Sequence, residues 1–168
     1  MPQECIKDTY IYDSVDVAKY MTLEASDKRI FMNITKVQKL LYVVYGVYLR
    51  VYGERLVNEH PQAWPYGPVF PETRLALRNR KLSPTTKDDL ELGEAELETM
   101  AKDTRLKRVI EFVFKNFGGW NAGQLTEWSH GDGSPWKKTV NGDDFDWGNV
   151  IPDRYILDYF TEIINVKN

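Results

Sequence analysis

The chain is poor in the residues that most often hold metals or form disulfides. It has one cysteine, Cys5, and two histidines, His60 and His130, in 168 residues. A single thiol makes no internal disulfide, which fits a reducing compartment, and the expectation is a cytoplasmic protein. No His-x-x-x-His or Cys-x-x-Cys pair occurs, and no EF-hand loop. Asp143, Asp144 and Asp146 cluster beside Gly142, but no glutamate follows at calcium-loop spacing, so the stretch reads as a solvated turn. The glycines are too dispersed for a dinucleotide fingerprint, and neither Gly118-Gly119 nor Gly131-Asp132-Gly133 leads into Gly-Lys-Ser or Gly-Lys-Thr. Neither a metal nor a cofactor is expected.

Other absences narrow the class further. No apolar run is long enough to cross a bilayer, and no apolar signal-like segment opens the sequence, so no membrane partner is expected. Fixed-period repeats and low-complexity tracts are missing. The net charge is only −3, from 22 basic and 25 acidic residues, which gives no global attraction to nucleic acid. Apolar residues make up 42%, enough for a packed core and too many for a disordered chain.

What is present is aromatic and helical. One stretch, Ile34 to Tyr52, carries Val37, Leu40, Leu41, Val44, Tyr48 and Val51 at helical spacing. Tyr42, Val43, Tyr45, Val47 and Leu49 add apolar bulk on the remaining circumference, the pattern of a buried helix. Its first turn nevertheless carries Lys36, Gln38 and Lys39. Asn33 or Thr35 can cap it, and Gly53 can end it in a left-handed conformation.

Around this helix the chain divides into an N-terminal arm, 1–12, and one domain, 13–168. Asp13 or Ser14 opens a short helix reaching about Ala25. Four prolines between 61 and 71 exclude a regular helix there, and a short strand or hairpin is possible near 62–70. Pro71 suits the first turn of a helix bearing Leu75 and Leu77. Ser83-Pro84-Thr85-Thr86 begins a loop, followed by a short helix around 94–101. Leu106, Val109, Ile110, Val113, Phe114 and Phe117 form a helical stripe that Gly118-Gly119 ends. Asn121 with Gln124 resembles a capping box, Ser134-Pro135 marks a further helix start, and a last helix spans about Pro152 to Val166. The fold expected is mainly α: a compact single domain of six to eight helices around the buried one, with at most a short β-hairpin near 62–70.

Three stretches together resemble one family. They are Ile34-Thr35-Lys36-Val37-Gln38-Lys39-Leu40-Leu41-Tyr42, then Ala63-Trp64-Pro65-Tyr66-Gly67-Pro68-Val69-Phe70-Pro71, then Leu125-Thr126-Glu127-Trp128-Ser129-His130 with Ser134-Pro135-Trp136. In this order they resemble the Panacea domain of SocA-like antitoxins, and Asp16-Val17-Ala18-Lys19-Tyr20 resembles that family's usual first helix. Ser129 stands where the family commonly has threonine, keeping the hydroxyl. Pro65 stands where it commonly has a polar residue, stiffening the loop.

The resemblance implies a helical module that neutralises a cognate protein toxin, by direct contact or by delivering it to a protease, without catalysis. The residues it singles out are Lys36, Gln38, Lys39, Tyr42, Trp64, Tyr66, Gly67, Pro68, His130, Ser134, Pro135 and Trp136. Two roles stay open for the Trp64–Phe70 loop: a clamp packed on the central helix, or an interface edge. Lys36 and Lys39 are either held by carboxylates or carbonyls in that packing or turned toward an acidic partner. A hydrolase using His130 with Ser129 or a carboxylate is one alternative. Adjacent helical residues point apart, however, and the imidazole of His130 can instead bond a last-turn carbonyl. A nucleic-acid-binding regulator is the other alternative, through Arg74, Arg78, Arg80 and Lys81 or Lys102, Arg105, Lys107 and Arg108. The acidic run from Asp88 to Glu98 opposes it.

Overall fold

The computed structural model describes residues 6–164; Cys5, and Val166 of the expected last helix, lie outside them. In chain order the elements are β1 (Tyr10–Tyr12), α1 (Ser14–Asp27), α2 (Ile34–Tyr52), β2 (Arg55–Val57), β3 (Gln62–Trp64), β4 (Gly67–Val69), α3 (Pro71–Leu77), α4 (Lys87–Leu90), α5 (Glu94–Ala101), α6 (Thr104–Phe117), α7 (Ala122–Ser129), α8 (Pro135–Val140) and α9 (Asp153–Ile163). The fold is mainly α, as the periodicity predicts, and no helix among the described residues is long and apolar enough to cross a membrane.

Helix α2 starts because the Asn33 side chain accepts the Lys36 N–H, and it stops at Gly53, whose φ of +67° a residue with a Cβ adopts at a cost. Every residue from Lys36 to Leu49 is buried. The helix is covered by α1, α3, α6, α7, α9, β2 and β4. Each large aliphatic side chain taken from water here contributes roughly 1.5–3 kcal/mol, so α2 organises the core. Trp128 extends that core by packing against Tyr42, Phe117, Trp120, Tyr159 and Phe160, with centroids 5.1–6.4 Å apart. Gly46 admits α9: a Cβ there would lie 2.2 Å from the Phe160 ring.

The sheets are small. β3 and β4 form the expected antiparallel hairpin, with Gln62 opposite Val69 and Trp64 opposite Gly67. A second sheet joins β1 to β2 in parallel, with Tyr10 opposite Arg55 and Tyr12 opposite Val57. Residues 10–12, expected within an unpatterned arm, thus lie in a strand. Three residues are too few for a readable alternation, and the pairing partner lies more than forty positions away. Likewise α4 forms within the expected loop, because Thr86 and Asp89 make a reciprocal capping box. On α3, Leu77 is buried while Leu75 is 60% exposed, as side chains two apart on a helix must diverge.

Glu59 ties two helix starts together. Phe70, the N-cap of α3, offers no side-chain acceptor. The Glu59 carboxylate supplies one instead, accepting from Glu72 N (2.7 Å), Thr73 N (3.2 Å) and Thr73 Oγ1 (2.7 Å). It also accepts from Ser14 Oγ at 2.5 Å, fixing the start of α1. Replacing Glu59 with alanine leaves these donors, most of them buried, without their acceptor. The substitution is expected to destabilise the fold by about 3 kcal/mol in urea titration, and a loss under about 1 kcal/mol would contradict this role.

Candidate partner-binding site

The hairpin is fastened on both sides by residues from the other two motifs. On the β4 side, Gln38 Oε1 accepts the Phe70 N–H at 2.7 Å, and Lys39 Nζ donates to Pro68 O at 3.1 Å. On the other side, Trp136 Nε1 donates to Trp64 O at 2.8 Å. Gly67, at φ +106°, lets the turn settle onto α2 and α7: a Cβ there would lie 2.7 Å from Ser129 Oγ and 2.8 Å from Lys39 Cε. The outer edge of β3 is occupied as well, since Ala63 N donates to Asn149 O and Gly148 N to Ala63 O. The hairpin therefore presents no open edge for a further strand to join.

Beside it lies a cavity of about 290 Å³ between the start of α2, the hairpin, α3 and α7. Ile34, Trp64, Tyr66 and Val69 supply apolar wall, while Thr35, Gln38, Lys39, Arg74 and Thr126 supply polar groups. Arg74 sits over the Trp64 ring, 5.9 Å from its centroid. Burial pushes the Lys39 ammonium down to about 8, which leaves it mostly charged at neutral pH. His130 stacks on Trp136 at 3.9 Å and 15°. Burial, then Lys39, then Lys137 lower its titration, which keeps the ring neutral at pH 7.

The structure thus gathers Gln38, Lys39, Trp64, Tyr66, Gly67, Pro68, His130 and Trp136 around one hairpin. Tyr66 stands at its tip, 73% exposed. The other singled-out residues do different work. Lys36 Nζ donates to Gly118 O at 2.7 Å, answering a carbonyl at the C-terminal end of α6. Tyr42 packs between Trp128 and Phe160. Ser134 caps α8 by accepting the Lys137 N–H, and Pro135 occupies its first turn. Both buried lysines are thus held by carbonyls, one of the two arrangements the sequence left open.

His130 departs from expectation. Its backbone N–H, not its imidazole, reaches the last-turn carbonyls of α7. The ring is turned onto Trp136, and its Nε2 has no hydrogen-bond partner among the described residues. Ser129 Oγ donates to Thr126 O at 2.8 Å, a contact that does not involve His130. The basic clusters are also drawn into local contacts: Arg80 with Glu91, Lys102 with Glu98, and Arg105 over Tyr52.

Arg74, named in the sequence only as a nucleic-acid candidate, Thr35, named only as a possible cap, and Thr126 also line the cavity. The signal for Arg74 was Pro71, since a helix that begins directly after the hairpin returns its first turn to it. No local signal marks the two threonines.

The fold is thus a compact helical module with one braced hairpin. The family described as Antitoxin SocA-like, Panacea domain, matches residues 37–137. The chain is also 31% identical over 160 residues to Antitoxin SocA of Caulobacter vibrioides (strain NA1000 / CB15N), covering 92% of this chain and 85% of that protein. No solved structure matches. The chain belongs to the SocA-like antitoxin family with a Panacea domain.

Two measurements follow from this geometry. Gly67→Ala puts a Cβ into occupied space at a positive φ, and is expected to cost about 2 kcal/mol in denaturant titration. The second concerns pH. Lys39 releases its proton near 8 when folded and near 10.4 when unfolded. Between those values the unfolded chain binds more protons, so Lys39 makes stability rise with pH. Above about 10 the buried tyrosines act with the opposite sign, because burial holds the Tyr42 and Tyr45 hydroxyls protonated. Relative to Lys39→Met, the native chain should therefore gain about 2 kcal/mol from pH 7.5 to 9.5. A pH-independent difference would remove the buried-ammonium description.

Proposed function

We propose that this chain is an antitoxin that binds a protein toxin directly in the cytoplasm and acts by that contact, without catalysis, through the face bearing the Trp64–Phe70 hairpin. The observation that carries the reading is an exposed tyrosine, Tyr66, held on a hairpin whose two outer edges are already bonded. A side chain that large left in water on so constrained a support is the form of an interface anchor. Phe31 and Leu75, near the lining residues Ile34 and Arg74 in sequence, are exposed as well. Family membership supports the same reading. The contact serves either to mask the toxin or to hand it to a protease.

The test is co-expression. The product of the reading frame beside this gene should arrest growth when induced alone. It should be silenced by this chain and copurify with it. Tyr66→Ala should fold normally yet bind at least tenfold more weakly. Toxin that persists in rescued cells marks masking, and toxin that disappears marks delivery. A harmless neighbour, or rescue without binding, would refute the proposal.

A further inference from the structure

The cavity beside the hairpin contains more hydrogen-bond donors than the chain itself answers. Gln38 is 2% exposed and its orientation is fixed, since Oε1 accepts from Phe70 N; its Nε2 has no acceptor among the described residues. A buried amide donor left so is costly in the free protein, and an arriving acceptor would relieve that cost. Lys39 is equally buried and spends its ammonium on one carbonyl, Pro68 O. Among the described residues neither Lys39 nor Arg74 has a carboxylate within ion-pair distance. A chain of net charge −3 thus leaves two cations unneutralised around one hollow.

We propose that this cavity receives the carboxylate of an aspartate or glutamate side chain on the partner toxin. Lys39 and Arg74 meet its charge, Gln38 Nε2 supplies a neutral donor, and Ile34, Trp64 and Tyr66 cover its methylene stem. A side chain is favoured over a strand because both outer edges of the hairpin are occupied, by Gln38 and Lys39 on β4 and by residues 148–151 on β3. With the main-chain groups of both outer edges bonded, an arriving strand finds none there to pair with. Arg74 lies exposed at the rim, where its charge also steers encounter with an acidic surface.

This inference rests on the antitoxin reading, and a toxin-free measurement separates the two. The ¹⁵N-labelled chain is titrated with N-acetyl-glutamate N-methylamide and with the matching glutamine compound. The Trp64 indole N–H, which donates to Gln62 Oε1 at 3.0 Å, is the reporter. Saturable shifts with the glutamate compound alone, abolished by Arg74→Glu, are expected. N-acetyl-alanine tests a free chain terminus; if only that compound binds, the side-chain assignment is wrong. Equal shifts with the glutamine compound, or none with any probe at 50 mM, would also overturn it.

In the complex, Arg74→Glu should weaken binding to the toxin about a hundredfold, and Arg74→Gln about tenfold. Lys107→Glu, on α6, should change it less than twofold. A toxin that binds Arg74→Glu as tightly as the native chain would refute the carboxylate pocket while leaving the antitoxin reading intact. Carboxylate binding by a chain that recognises no toxin would do the reverse.

Discussion

Gln38 and Lys39 put polar groups inside a helix that is otherwise packed as core, and both groups reach the backbone of one hairpin. A buried ammonium or amide without partners costs several kcal/mol, and an unpaired strand edge facing protein carries a similar burden. Here each answers the other in part. Lys39 takes the Pro68 carbonyl and Gln38 takes the Phe70 N–H, so the edge of β4 is closed by α2 side chains rather than by a neighbouring strand. The hairpin is thereby placed on the central helix and given its orientation by the same two bonds.

The same device recurs through the domain. Lys36 answers a carbonyl at the end of α6, Glu59 answers the N–H groups at the start of α3, and Trp136 answers Trp64 O. Many of the helices are short: α3, α4, α5, α7 and α8 span eight residues or fewer and would not persist alone in water. Side-chain bonds from distant residues hold α3, α4 and α8 in place, through Glu59, Lys19 and Trp136. The outcome for function is a braced surface whose backbone is occupied. The face proposed for partner contact therefore consists of Tyr66, the cavity beside it and the cations that line it.

Much of the fold was legible in the sequence where the deciding forces are local. Asn121 and Ser134 cap the helices they were expected to cap, Asp13 and Asn33 prove to be the caps from the pairs offered for α1 and α2, and Gly53 ends α2. A cap joins residues two or three apart, so the sequence contains the whole interaction. The apolar stripes of α2 and α6 were equally readable, because helical period follows from backbone geometry alone. The β1–β2 sheet was not readable, since neither strand carries a pattern until the other is beside it. Nor was the work of Glu59, one carboxylate among many in the sequence that becomes distinctive only because two helix starts converge on it.

The candidate site divides along the same line. Ordered motifs in the sequence picked out the hairpin, the first turns of α2 and the Ser134–Trp136 segment. By itself the sequence also determined where α2, α6, α7 and α8 begin, that α2 is buried, and that the prolines around Trp64 exclude a helix. Tertiary structure alone decided which way the polar groups of α2 turn. It parted Lys36 from Lys39, laid His130 flat on Trp136 instead of against a carbonyl, and brought Arg74 to the cavity. The bonds that settle these choices join residues 29, 32, 72 and 82 positions apart. Such partners meet only after packing has fixed the angles between helices, and no periodicity or capping rule reaches that far.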